Sequence, residues 1–290
     1  MNTLQVTIFG LMLGGVFALM ASGLTLLFGV MRIVNLAHGV FILLGAYFAY
    51  FAFDWMGVDP FLSMAAVLPL MFLLGMAIYR LLFARVEGSS RFGEMTVLIT
   101  FGIALIVEGL LGYFFTGIFR STSPSYGTSA FILGDIFIPK GQLYASLASF
   151  GLLILLWIFL TRTKTGTAIR ATMQNRTAAQ IVGVNVRWVS TISFGIGVAM
   201  AGAAGALMSY LSAFFPARHW QWIALLLSLV VLGGLGSLKG AVIAALALSV
   251  LSAFVSDWLG PTWSPMTFYL ALFLVLLVRP QGLFGKASAA

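Results

Sequence analysis

Apolar runs long enough to cross a bilayer follow one another along nearly the whole chain, parted only by short polar breaks. A spanning helix needs about 20 such residues, so this pattern describes an integral membrane protein in which almost everything is membrane domain. Composition agrees, since 61% of the residues are hydrophobic and only 8% are charged. The expected fold class is all-α: a polytopic transmembrane helical bundle of about eight or nine spans, forming one domain over residues 1–290.

Reading the runs between polar breaks places spans at Leu4–Phe28, Asn35–Phe53, Phe61–Leu82, Met95–Ile118, Gly141–Leu160, Trp188–Phe214, Trp220–Leu232, Ala241–Ser256 and Pro265–Val278. Trp220–Leu232 falls below the roughly 17 residues of a normal crossing and is followed by glycines, which marks a re-entrant or discontinuous helix. If the spans alternate, only Arg120, Lys140 and Arg218 fall on one side, leaving 12 of the 15 basic residues, Lys286 among them, on the other. Basic residues concentrate in cytoplasmic loops, so the N-terminus is expected outside and the C-terminus inside. The net charge of +8 is thereby explained by topology, and nucleic acid is not expected as a partner. Cysteine is absent, which removes disulfide and thiolate chemistry. The first basic residue is Arg32, so no cleavable signal is expected and Met1 onward should remain.

Two connections are long. Phe119 to Lys140, rich in Ser, Thr, Pro and Gly, lies outside and reads either as a plain surface loop or as part of a docking surface. Thr161 to Arg187 lies inside, carries five basic residues and no acidic one, and suggests two short helices. The first is expected around Thr167 to Met173; the second is capped by Asn175 and stops at Gly183. This loop can lie on lipid headgroups, helped by Arg170 and Arg176, or form a knob entering a soluble partner, with Ala178 and Ala179 permitting close approach.

The spacing from Thr177 through Ala178 and Ala179 to Gly183 resembles the loop by which permeases of ATP-binding-cassette (ABC) transporters engage their ATPases, with Thr177 where that pattern has Glu. GLTLLFGVMRIVNLAHG, TGTAIRATMQN with AAQIVGVNV, AMAGAAGAL, GGLGSLKGA and RPQGLFG resemble, in order, the signature segments of permeases of branched-chain amino-acid ABC importers, the shorter H-type subunit most of all. The resemblance implies a prokaryotic inner-membrane subunit and marks 161–187 as the ATPase-coupling loop, with Arg170, Asn175, Thr177, Ala178, Ala179 and Gly183 as its candidate residues. It also implies a second homologous permease, two cytoplasmic ATPase subunits and a periplasmic or extracellular substrate-binding protein. Related permeases carry urea, short amides and other small solutes, so the solute stays open. The chain has no G-x-x-x-x-G-K-[ST], so ATP and Mg2+ are expected on the partner subunits, no cofactor on this chain, and no enzymatic activity of its own.

The span around Gly23–Tyr47 is interrupted by Arg32, Asn35 and His38 among glycines. Broken helix inside a bilayer is tolerated only where protein or a water-filled cavity satisfies the freed backbone groups, a device by which transporters build substrate paths. Arg32 reads as a turn residue at the surface; Asn35 and His38 either bond neighbouring helices or line the path. A second glycine break at LVVLGGLGSLKGAVIAAL suggests two halves related by a repeat. Glu108 is the only acid well inside an apolar run and needs a protein or water partner, expected to be a hydroxyl or amide. It can hold that structural bond, bind a substrate ammonium group, or couple protons in a gradient-driven transporter or channel, the rival to an ABC permease. Asn35, His38 and Glu108 are the candidate path residues. The small residues Gly195, Ala199, Gly202, Ala203 and Ala206 fit packing within the chain or against a second permease equally well. The outside charges Asp54, Asp59, Arg120, Asp135, Lys140, Arg218 and Asp257 suit either a carrier-docking surface or solvated loops. No acid or histidine grouping has metal-ligand spacing, and with only His38 and His219 available a hydrolase site is not expected.

Overall fold

The computed structural model describes residues 2–279 and 281–284. Met1, Lys286 and the Pro280 and Gly285 of the terminal motif lie outside the described residues. Eleven helices follow in order: α1 Thr3–Met31, α2 His38–Met56, α3 Pro60–Val86, α4 Phe92–Phe115, α5 Lys140–Arg162, α6 Lys164–Gln174, α7 Arg176–Ile181, α8 Val186–Leu211, α9 Arg218–Gly233, α10 Leu238–Leu259 and α11 Met266–Val278. Among the described residues eight helical stretches are long and apolar enough to cross a membrane, and the expected short ninth run is α9, of 16 residues. The chain is a multi-pass membrane protein.

The break after α1 sits deep in the bundle. Arg32 ends the helix in the left-handed region at φ 55°, its N–H bonded to Phe28 O at 2.7 Å. Ile33–Ala37 then runs back along α1 until His38 Nε2 meets Met20 O at 3.0 Å. Met20 lies 11 residues before the end of α1, so α2 begins about 16 Å inside that end, near the middle of a hydrocarbon layer about 30 Å thick. The chain therefore does not make a simple turn between two crossings; α2 starts fully buried inside the bundle.

The helix α9 begins at the same depth from the other side. A Cβ added at Gly39, the second residue of α2, would lie 2.5 Å from His219 O, so the N-terminal ends of the two helices meet. Residues 212–217 deliver the chain there, held by mutual backbone bonds between Phe214 and Arg120, both 2.9 Å. The order helix, break, mid-membrane helix, helix, helix thus occurs twice, as α1–α4 and as α8–α11 in opposite orientation. The packing repeats too: α1 lies against α10 at Gly10 and Val250, as α8 lies against α3 at Gly195 and Gly75. The repeat differs from the one expected. The glycine turn Gly233–Ser237 joins α9 to α10 at the surface, and the true counterpart of the Arg32–Ala37 break is 212–217, which contains no glycine and so carried no matching mark.

The centre is the α1/α8 pair, where a Cβ on Gly23 would stand 2.6 Å from Gly197 O. The small residues of α8 serve packing within the chain: Gly195 and Gly202 admit side chains of α3, and Gly205 admits the backbone of α2 at Ile42. One exception to the all-helical pattern lies in the segment expected outside, where β1 Ala130–Leu133 and β2 Ile136–Pro139 form an antiparallel hairpin. Gly134 leads its two-residue turn at φ 61°, as a type II′ turn requires. Gln5 clasps the backbone N–H and C=O of Phe137, fixing the hairpin to the start of α1. The same segment is tied to the α2–α3 turn by the Tyr126 hydroxyl, which donates to Asp59 at 3.2 Å. Burial, and then that carboxylate, push the Tyr126 phenol well above its ordinary range, so it stays a donor.

Gly205→Ala is expected to be costly, since its Cβ would lie 1.9 Å from Ile42 O and drive two backbones apart. Overpacking of this kind destabilises by about 1–3 kcal/mol, whereas Gly109→Ala on the open face of α4 gains roughly 0.5–1 kcal/mol of helix propensity. Thermal unfolding of both variants in detergent should move in opposite directions; equal shifts would mean the α2/α8 contact is not tight.

Candidate translocation path and coupling loop

Polar groups from both breaks line the interior of the bundle next to α4, from Thr100 to Glu108. Asn35, fully buried, turns the chain into α2: its Oδ1 accepts from Ala37 N at 3.1 Å and its carbonyl from His38 N at 3.2 Å. The Asn35 Nδ2 has no partner among the described residues. Leu36 N, exposed by the break, donates to Thr100 Oγ1 of α4 at 3.2 Å. His38 donates from Nε2, because Met20 O can only accept, and its Nδ1 has no partner among the described residues. Two turns along α4 from Thr100, Glu108 Oε2 accepts from Trp220 Nε1 at 2.9 Å and faces His219 Nε2 at 3.1 Å. The expected hydroxyl or amide partner is therefore an indole and an imidazole from the first turn of α9. A carboxylate beside a helix N-terminus also meets the positive end of its macrodipole.

The predicted residues Asn35, His38 and Glu108 are thus linked but not level: Glu108 lies eight residues, about 12 Å, along α4 from the Thr100 that meets Leu36, and it reaches His219, whose carbonyl abuts Gly39 beside His38. Neither α2 nor α9 has a side-chain cap, and both start from an alanine of nearly identical conformation, Ala37 at φ −73°, ψ −5° and Ala217 at φ −78°, ψ −2°. Two uncapped helix N-termini pointing at one depth make a locally positive spot with a carboxylate beside it. Glu108 retains 24% side-chain exposure on a helix face that otherwise shows Leu98, Phe101 and Leu105. A charged group facing lipid costs about 2.5–3.5 kcal/mol or more, so this face suits water or protein. Sequence reasoning missed Thr100, Trp220 and the role of His219. The signal for His219 and Trp220 was the sequence PARHW, whose Pro, Arg and His interrupt an apolar stretch as Asn35 and His38 do; Thr100, inside an apolar run, carried none.

The loop 161–187 forms two helices at the end where α1 terminates. Thr163 Oγ1 caps α6 by accepting from Gly166 N at 2.9 Å, and Asn175 Oδ1 caps α7 by accepting from Ala178 N at 3.0 Å. Gly183 at φ 88° ends α7, with Val184 N bonding back to Ala179 O at 2.9 Å. Thr177, Ala178, Ile181, Val182 and Gly183 are exposed. Ala179 is not; only 3% of it is accessible, because on a helix of under two turns it falls on the face turned to the bundle. Arg176 ion-pairs with Glu87 in the α3–α4 turn, and Tyr79 OH donates to the same carboxylate at 2.9 Å. Tyr79 opens a π-helical turn, Tyr79–Phe83, within α3. Arg170 lines a cavity of about 690 Å³ with Arg32, Gln174 and Ser237.

Most of the charges expected outside have partners within the bundle. Asp59 caps α3 at Phe61 N; Arg120 bonds Phe115 O and lies 5.1 Å over Tyr50; Lys140 lies over Phe131. Arg218 is not an outer-surface charge, since it opens α9 beside the mid-membrane junction and bonds Gln221 at 2.7 Å.

Comparison with known proteins bears on the same chain length. It is 28% identical to the high-affinity branched-chain amino acid transport system permease protein BraD of Pseudomonas aeruginosa, over 98% of this chain and 96% of that protein. It is also 28% identical to LivH of Escherichia coli K12, described in the same words, over 96% and 94% of the two chains. The Escherichia coli permease protein LivM matches at 30% identity over 46% of this chain and 32% of its own. Among solved structures, PsaBC from Streptococcus pneumoniae in complex with Fab shares the fold at a TM-score of 0.52 and 12% identity, covering 98% of this chain and 94% of that one. The family described as branched-chain amino acid transport system, permease component, matches residues 6–278, and the chain belongs to that family.

Proposed function

We propose that this chain is the membrane-spanning permease subunit of an ABC importer for branched-chain or related amino acids, moving them by alternating access and catalysing no reaction itself. The observation that carries this reading is the α6–α7 pair, which presents Thr177, Ala178, Ile181 and Val182 outward just after Arg176. An apolar tip of this size, 80% exposed at Ile181, suits a cleft in a soluble partner. The partners are two cytoplasmic ATPases that hold ATP and Mg2+, a second homologous permease and an outer substrate-binding protein. The basic end of the bundle is cytoplasmic and the N-terminus outside.

In this reading, closure of the ATPase pair moves α7, and the Arg176–Glu87–Tyr79 link carries that displacement to the π-helical turn of α3. From there, ring contacts run from Tyr79 and Phe83 to Phe194 on α8 and on to Phe41 on α2. The α2 half-helix, which begins at mid-membrane, is the element such a push displaces. Its separation from α9 opens the stretch from Asn35 and His38 to Glu108 to one side and then the other. The Glu108–His219 pair also favours a second reading, proton-coupled transport without ATPases.

Two measurements test the coupling. Co-expressed ATPases should co-purify with wild type and be lost from Ala178→Arg and Ile181→Glu, both at exposed sites that leave the fold intact. If no ATPase binds, or binding ignores both changes, the loop is not the docking element and uptake driven by a pH gradient in liposomes becomes the reading to measure. Glu87→Gln should leave the complex assembled but lower transport per ATP hydrolysed by about fivefold or more, the scale of ordinary inter-site coupling. The swapped pair Glu87→Arg with Arg176→Glu should recover it; unchanged coupling in Glu87→Gln would remove this link from the mechanism.

A further inference from the structure

The α3/α8 seam carries a feature that transport of a small zwitterion does not require. At the basic end a cavity of about 320 Å³ is lined by Arg80, Ala84, Asn185, Arg187, Trp188 and Thr191. Among the described residues Arg80 has no carboxylate partner; its guanidinium lies 5.3 Å over the Trp188 ring. Arg187 is held in place by donating to Ala84 O at 2.6 Å, and its nearest carboxylate, Glu87 at 3.9 Å, is already engaged by Arg176 and Tyr79. The site therefore offers two guanidinium groups and an amide with little compensating negative charge, while the Thr191 hydroxyl donates to Arg187 O at 2.8 Å and helps fix the start of α8. Trp188, 45% exposed at the start of α8, is the residue type that settles at a headgroup boundary.

An apolar groove of about 470 Å³ lies on the same seam farther into the membrane, lined by Leu68 and Phe72 of α3, Ile192 and Ile196 of α8, and Leu155 and Phe159 of α5. The two features share one face. Arg80, Phe72 and Leu68 recur at multiples of four along α3, and Trp188, Ile192 and Ile196 at steps of four along α8, the spacing of a single helical ridge. From Arg80 to Leu68 is 12 residues, about 18 Å along the axis, close to the depth of one leaflet.

We propose that the α3/α8 seam is a binding site for one anionic glycerophospholipid, its phosphate between Arg80 and Arg187 beside Trp188 and an acyl chain along the groove formed with α5. Charge and shape together choose this occupant. A protein helix laid in the groove would leave two guanidiniums unanswered, and a free anion would leave the groove empty. The site adjoins the Glu87 link but stands whether or not the chain couples to ATPases.

The test is lipid retention by the purified chain from nanodiscs holding equal phosphatidylglycerol and phosphatidylcholine, read by native mass spectrometry and by thermal unfolding. Wild type should keep one phosphatidylglycerol and melt higher in its presence. Arg80→Gln with Arg187→Gln should retain it roughly 30-fold less, two basic contacts at the usual value for a charged headgroup. The exposed pair Arg85→Gln with Arg91→Gln, at the same end, should change nothing. Ile196→Trp, which fills the groove, should lose the lipid with both arginines intact. Equal loss from the two arginine pairs would reduce the effect to general surface charge and overturn the site. Protection by millimolar inorganic phosphate equal to that by lipid, or retention unaffected by Ile196→Trp, would make it a free-anion pocket. Lipid kept by the isolated chain but expelled from an assembled permease pair would mean the groove is a protein interface.

Discussion

Everything distinctive here depends on how backbone polar groups are satisfied where the helices stop in mid-membrane. An unpaired N–H or C=O in hydrocarbon costs several kcal/mol, so a break at that depth exists only with a substitute for each lost helical bond. At the first break the substitutes are local and side-chain based: the Asn35 carboxamide serves Ala37, and Thr100 of α4 serves Leu36. At the second they are strand-like, with Phe214 and Arg120 exchanging backbone bonds and Thr122 N reaching Ser209 O at 2.8 Å. These two solutions fix the neighbours each break needs. The first anchors α4 to the start of α2, and the second folds the beginning of the 116–139 connection into the bundle.

Meeting the breaks at one depth also requires close helix approach, which is why small residues concentrate on α1, α2 and α8. A hydrophobic driving force is missing between helices in lipid, so association rests on backbone proximity and dispersion. Gly23 against Gly197 and Gly45 against Gly202 bring three helices together at the level of the junction, leaving little volume between them. The bundle is therefore rigid where α1 and α8 cross and open where α4 and α11 face outward, with long apolar side chains largely exposed.

Spans and the short α9 were legible because bilayer thickness imposes a length on apolar runs, a constraint strong enough to read from one sequence. The caps were legible for the same kind of reason: Asn175 and Gly183 are residue types that few other backbone roles demand, and both sit where expected. What was hidden was partnership at a distance. Nothing local in the sequence near Glu108 points to Trp220, and the repeat was sought between glycine-rich turns although its second break is LSAFFPA. Two halves can keep a geometry while replacing the chemistry that supports it, so internal symmetry was visible in depth and orientation and not in letters. Ala179 shows the limit of spacing arguments on short helices, where the direction a residue faces is set by how the helix docks, and here it docks through that methyl.

The placement of Glu108 follows from the same logic. Its carboxylate holds the first turn of α9 through Trp220 and His219, so it is part of what keeps an uncapped helix end in place at mid-membrane. The one Oε2 atom takes both of these contacts, and the side chain is still partly exposed. A carboxylate needed only for structure would be better enclosed, since residual exposure on an apolar face costs energy that burial against protein would spare. Partial exposure is what a group needs if it must hold α9 in one conformation and meet a passing ammonium group or water in another. Glu108 thus both holds the buried end of α9 and keeps part of its carboxylate accessible.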